Sequence, residues 1–305
     1  MSTSVGFRQL PIGEFTRAVS KLRPDIVVGP GDIPYGVDKV SKKKTEKVTD
    51  RTTKWMLEHV QARRLSKKNA EGLPPLYAPL LPLPIESQRW YIEHLLEDMI
   101  QDVDGLAVYD TCALQGLPVE MQHLPRLGFT APKSPAAILE HISLGMDVFT
   151  VPFIGAVTDA GIAMDFAFPV NEEDKTARSE PRVLGVDMWQ VAHAADLSPL
   201  TSDCSCYACT NHHRAFVQHL LAAKEMLGWV LLQMHNHHIM DVFFAGVRKS
   251  IACGTFEDDC AAFRRVYEPD LPAKTGQGPR YDLHRLAARN KSTDSKQSER
   301  LPVQG

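Results

Sequence analysis

The sequence has no apolar run long enough to cross a membrane, which takes about 20 residues. Its most apolar stretch, Leu76–Ile85, is interrupted by Pro79, Pro82 and Pro84. The opening MSTSVGFRQLPIGEF lacks the basic start and apolar centre of a secretory leader. Net charge is nearly absent, since 34 Lys and Arg stand against 37 Asp and Glu, a balance of −3. That excludes a chain that is basic as a whole, so any nucleic-acid contact must come from a local basic patch or through a partner. No Gly-x-Gly-x-x-Gly turn follows any strand, which argues against a dinucleotide fold. The six cysteines are too uneven for a disulfide framework: three fall within Cys204–Cys209, and Cys112, Cys253 and Cys260 are scattered. These absences leave a water-soluble protein of the cytoplasm as the expectation.

What is present is an alternation of strands and helices. With 305 residues and 44% hydrophobic composition, a sizeable core is affordable. Residues 11–23 read as a short helix ending before Pro24, and Asp25–Val28 as a buried strand stopped by Gly29, Pro30 and Gly31, with Asp32 just beyond. Residues 38–69 are polar and helical, with Trp55, Met56, Leu57 and Val60 on an apolar face. Tyr77–Leu81 and Gly105–Tyr109 read as strands, with an amphipathic helix, Arg89–Gln101, between them. A further strand is expected at Leu127–Thr130. Ser134 and Pro135 then suit the N-cap and first position of a helix running to Leu144, and Asp147–Val151 is another strand. Such alternation implies parallel βαβ units, in either an open doubly wound sheet or a (β/α)₈ barrel. Residues 171–182 read as a charged exposed loop. Helices are expected at Arg214–Leu227, at Val230–Ser250 after a break at Gly228, and at Phe256–Tyr267. From Pro269 the chain reads as a disordered tail.

The densest chemistry lies in Cys204-Ser-Cys206-Tyr-Ala-Cys209. Three thiolates in Cys-x-Cys-x-x-Cys spacing can face one ion from a tight loop, and one imidazole would complete the Cys₃His set of closed structural zinc sites. Spacing alone leaves the histidine open among His212, His213, His235, His237 and His238. Four protein ligands argue against a catalytic zinc, which keeps one position free.

At this point the residues resemble a known family. SCYACTNHHRAFVQHLLAAKEMLGWVLLQMHN, with its histidine in an HN dipeptide after a helix, is similar to the zinc-binding region of the tRNA-guanine (queuine) transglycosylases, and this resemblance selects His235. PDIVVGPGDIPYG, VDGLAVYD and PRLGFTAPKSPAAILEHISLGMDVF resemble successive strands of the same family. The likeness covers about residues 10–268. It implies a (β/α)₈ barrel domain over 1–268 that lacks its N-terminal part, with a zinc-binding insertion at about 200–250. It also implies one zinc ion per subunit on Cys204, Cys206, Cys209 and His235.

The family's catalytic residues are mostly missing. Where catalytic members carry an aspartate nucleophile in a segment like DMFDCVLPTR, this sequence reads DVFTVP, so Asp147 matches the first aspartate and Thr150 stands at the nucleophile's place. A threonine hydroxyl needs an adjacent base to attack, whereas a carboxylate does not. The base-holding VQGG and GGLAVGE segments correspond to Ala78–Pro82 and Leu106–Asp110, without their glycines. Asp32 matches a base-recognising aspartate, and no DSGGFQ segment with its general base is present. The resemblance therefore implies the non-catalytic branch of the family. Such a chain carries no catalytic residue of its own and pairs as a heterodimer with a catalytic queuine tRNA-ribosyltransferase subunit acting on tRNA. The alternatives are an active transglycosylase, or a zinc-stabilised scaffold without an RNA role. The basic stretch over residues 39–68 is a possible phosphate contact or simply a solvated helix face.

Overall fold

The computed structural model describes residues 2–3, 6–7, 9–34, 40–67, 73–171, 180–273, 275–276 and 278–279. The outer ends of the expected 38–69 helix, most of the 171–182 loop and most of the expected tail lie outside the described residues. The chain divides into two compact units, Met1–Phe153 and Ile154–Gly305.

The first unit opens on a two-residue antiparallel ladder, β1 (Ser2–Thr3) with β2 (Gly6–Phe7). Helix α1 (Ile12–Leu22) follows, then β3 (Val27–Val28), α2 (Lys42–Lys67), β4 (Leu76–Leu80), α3 (Arg89–His94), β5 (Gly105–Val108), β6 (Arg126–Gly128), α4 (Pro135–Ser143) and β7 (Val148–Phe149). Strands β3 to β7 form one parallel sheet in the order of the sequence. A doubly wound sheet reverses its strand order at a switch point; no reversal occurs among these five strands. Every residue of β4 and β5 is buried, as expected for strands covered on both faces.

Pro79 sits inside β4. Tyr77 faces β3, where its carbonyl accepts from Gly29 N at 2.9 Å. Pro79, two residues on, faces the same side, past the end of β3 at Val28. The core gathers Met56 and Val60 of α2, Tyr91 and Ile92 of α3, and Leu80 and Leu106 of the sheet. Ser134 caps α4, its hydroxyl accepting from Ala137 N, with Pro135 following as expected. The helix expected at Arg89–Gln101 changes winding on the way: α-helical to His94, π-helical over Leu95–Met99 and 3₁₀ over Ile100–Asp102. The strands expected at Leu127–Thr130 and Asp147–Val151 are shorter and start within a residue of the expected positions.

The second unit takes in α5 (Phe153–Asp159) from Ile154 onward and an antiparallel pair, β8 (Ile162–Met164) with β9 (Gly185–Asp187). Helices α6 (Tyr207–Asn211), α7 (Arg214–Ala222), α8 (Met226–Cys253) and α9 (Phe256–Val266) follow. The break expected at Gly228 is a correction. The chain turns at Ala223–Glu225, where Lys224 takes φ +61°, and α8 runs through Gly228. A Cβ there would lie 3.1 Å from Leu220 and 3.2 Å from Leu221, so the glycine serves the packing of α8 on α7. One core of this unit joins Val217, Leu221, Trp229 and Leu232. A second is aromatic, with Phe166, Phe168, Phe243 and Phe263 at centroid distances of 5.7–6.4 Å. No helix among the described residues is long and apolar enough to cross a membrane.

Candidate metal centre

Three sulfurs and one imidazole converge in the second unit. Cys204 precedes α6, Cys206 is its N-cap, and Cys209 lies in its middle turn, so the sulfurs are spread over a bend and a short helix. The Cys206 Sγ accepts from Cys209 N at 3.4 Å. From the middle of α8, fully buried His235 directs Nδ1 at all three, 3.7 Å from Cys204, 3.5 Å from Cys206 and 3.4 Å from Cys209. A single ring nitrogen cannot satisfy three sulfurs by hydrogen bonding, because it has one proton or one lone pair to offer. A tetrahedral ion with sulfur at about 2.3 Å and nitrogen at about 2.0–2.1 Å would set each N···S separation near 3.6 Å. The four ligand atoms all lie within 4.8 Å of one another. The four side chains are therefore close enough to share one metal ion.

The outer contacts fit as well. His235 Nε2 donates to the Met164 carbonyl at 2.9 Å, which leaves Nδ1 bare to act as a ligand. Thr201 Oγ1 donates to the same carbonyl at 3.1 Å. Burial alone would lower the His235 pKa, but its bonds to Cys204, Cys206, Cys209 and the Met164 carbonyl raise it to about 11. Burial pushes the Cys204 thiol up; it pushes Cys206 up too, but His235 and the Cys209 N–H bring that thiol down to about 6. The cluster thus suits a cation at its centre.

The other histidines do different work. His212 stacks on Phe216, and His213 caps α7 by accepting from Phe216 N at 3.1 Å. His237 is exposed beside Gln233, and His238 lies 3.4 Å from Ser205 Oγ. The structural role of Asn236, next to His235, was missed by sequence reasoning. Asn236 is fully buried; its Oδ1 accepts from Met164 N at 2.8 Å, and its Nδ2 donates to Ile162 O at 3.0 Å and Thr158 Oγ1 at 2.9 Å. Residues 235 and 236 together clamp the edge of β8 that β9 does not cover.

The first unit holds the positions compared above with catalytic ones. Thr150, exposed, donates its hydroxyl to the Gly128 carbonyl at 3.0 Å. Asp147 lies at the N-terminal end of β7 and accepts from Arg126 N at 2.8 Å, away from the C-terminal strand ends where parallel barrels do chemistry. Asp32 is paired with Arg51 at 3.1 Å, and Asp110 caps its own turn at Cys112 N. Tyr109 and Phe129 stack at 5.2 Å beyond β5 and β6.

The family model for queuine tRNA-ribosyltransferase matches residues 1–269. The chain belongs to that family. Among relatives, a queuine tRNA-ribosyltransferase accessory subunit 2 of Schizosaccharomyces pombe is 33% identical over 279 residues, which is 91% of this chain and 62% of the relative. Proteins of the same name from Drosophila pseudoobscura and Anopheles gambiae are each 29% identical over 82% of this chain, covering 61% and 60% of their own lengths. The chain thus spans about three fifths of these curated relatives. Family membership agrees with the in-order parallel sheet of the first unit and with the clustered cysteines of the second.

Proposed function

We propose that this chain is a non-catalytic, zinc-holding partner of a queuine tRNA-ribosyltransferase. It would form a heterodimer with the catalytic subunit, which exchanges guanine for queuine at the anticodon wobble position of tRNA in the cytoplasm. The observation that carries this reading is the state of the strand ends: Thr150, Asp32 and Asp110 are each engaged by a local partner. The sequence resemblance, which aligns Thr150 with the nucleophile, supports the same reading. The names of the relatives support the accessory role, and the in-order parallel sheet of the first unit is what a segment of a (β/α)₈ barrel would show.

On this reading Cys204, Cys206, Cys209 and His235 hold one zinc ion. All four protein positions are filled, so the ion's chemistry is structural: it neutralises the thiolates and ties the bend before α6 to α8. An unpartnered apolar strip on α8, with Met226, Val230, Met234 and Val242 each 44–49% exposed, supports a protein partner. Metal analysis and light scattering test the proposal. One zinc per chain and a 1:1 complex with the catalytic subunit are expected. Metal-free purified chain, or no association, would sink it.

A further inference from the structure

The chain is slightly acidic, yet α2 carries a concentrated positive strip. Between Lys42 and Lys54 it has six cations, Lys42, Lys43, Lys44, Lys47, Arg51 and Lys54, against two acids, Glu46 and Asp50. Lys43, Lys47, Arg51 and Lys54 follow helical spacing and fall within roughly 80° of arc at 3.6 residues per turn. All four are exposed. Arg51 is engaged by Asp32 at 3.1 Å and Lys54 by Glu58 at 3.9 Å, while Lys43 and Lys47 have no ion pair among the described residues. The first turn of α2 has no acidic residue, although a helix N-terminus favours carboxylates and disfavours cations. The lysines are therefore not there to steady the helix.

The strip leads into a cleft of about 660 Å³. Leu10, Ile12, Phe15 and Trp55 supply its apolar wall, and Lys54 and Glu58 its polar rim. Pro30 and Gly31, just past β3, also line it, so it opens beside the C-terminal end of the sheet. Its size suits a small planar ligand. Trp55 is half-buried and lies outside the unit's core cluster, which frees its ring for a ligand. Lys54 belongs to both features.

We propose that this face binds an unpaired stretch of RNA, with phosphates along Lys43, Lys47 and Lys54 and one base lodged against Trp55 in the cleft. Resting on the tRNA-partner reading above, it names the surface that reading requires. Cations that track a backbone, followed by an aromatic wall that receives a base, are the two elements of single-strand recognition. Duplex RNA would meet the strip but has no free base face for the recess. An acidic protein segment would meet the lysines and leave the recess unmatched.

The test is fluorescence anisotropy of the full chain with a labelled RNA hairpin bearing an unpaired purine loop, and with a duplex of equal length, across a salt series. Tighter binding to the loop is expected. The pair Lys43→Glu and Lys47→Glu should weaken both RNAs and reduce the log–log salt slope by roughly 1.4, since each single-strand phosphate contact contributes about 0.7. Trp55→Leu should weaken loop binding by about 5-fold to 150-fold and leave the slope unchanged. If Trp55→Leu proves unstable, exposed Lys54→Gln tests the rim, with a slope loss of about 0.7 expected. Equal affinity for loop and duplex, or an unchanged slope in the double variant, would overturn the proposal. So would loss of catalytic-subunit association with RNA binding intact, which would mark an acidic protein surface. Guanine exchange by the wild-type mixture separates the two readings. Exchange with RNA affinity unaltered in the variants sinks this inference alone, whereas exchange that does not need this chain sinks the partner-subunit reading.

Discussion

Replacing Asn236 with leucine removes three hydrogen bonds of 2.8–3.0 Å without opening a cavity, because leucine has as many side-chain heavy atoms as asparagine and is bulkier. The Met164 N–H and the Ile162 carbonyl would then be buried beside an apolar side chain, on the edge of β8 that β9 does not cover. Each orphaned backbone group costs about 1–3 kcal/mol, so the expected loss centres on about 4 kcal/mol. In a unit of about 150 residues, 1 kcal/mol moves Tm by roughly 2–4 °C, which gives a fall of roughly 8–16 °C. Asn236→Asp keeps the acceptor for Met164 N but turns a buried carboxylate oxygen toward the Ile162 carbonyl, so it should also destabilise, and more so as the pH rises and the carboxyl ionises. Urea unfolding followed by circular dichroism gives the energy, and metal analysis of wild-type and variant samples shows whether any metal content depends on this amide. A loss below about 1 kcal/mol with an unchanged urea slope would refute the reasoning, because it would mean that the edge of β8 does not depend on this amide.

Other perturbations follow from the same contacts. Cys206→Ser should abolish metal retention and lower Tm by about 10 °C or more, since structural zinc sites contribute binding energy directly to folding; metal analysis with a thermal melt checks it. Gly246→Ala would place a Cβ 1.8 Å from the Phe168 carbonyl oxygen and should cost about 2–3 kcal/mol, read by urea unfolding. His59 is buried against Phe15, with Nδ1 2.8 Å from Thr16 Oγ1, and burial, then the nearby Arg63 charge, lowers its pKa from 6.5 to about 4. The unfolded chain therefore takes up the proton first. Stability is whole above pH 6.5 and should fall by up to roughly 3 kcal/mol as the pH drops to about 4; a His59→Phe variant should flatten that stretch of the pH–stability curve.

The parallel strands of the first unit were legible, most clearly β4 and β5 as continuous apolar runs between turn signals, and Ser134-Pro135 announces its helix directly; the two-residue β1 and β2 are too short to leave a signal. The sequence misled at Gly228, where a glycine reads as a helix stop yet serves close packing on Leu220 and Leu221. The true turn uses Lys224 in a left-handed conformation, which no glycine marks. Strands β8 and β9, three residues each, are too short for any periodicity. At the metal centre the cysteine spacing spoke clearly, but spacing could not choose among five histidines. The structure selects the one whose Nδ1 faces all three sulfurs. The role of Asn236 was invisible because its partners lie 72, 74 and 78 residues away. The change of winding along Arg89–Asp102 leaves no signal in the apolar spacing.

The most direct test of the account is guanine exchange on a queuine-type tRNA with labelled base, using this chain alone, the catalytic subunit alone, and both together. The account predicts turnover only in the mixture, undiminished by Thr150→Ala and lost with Cys206→Ser. Turnover by this chain alone, abolished by Thr150→Ala, would contradict it and make this chain an enzyme in its own right.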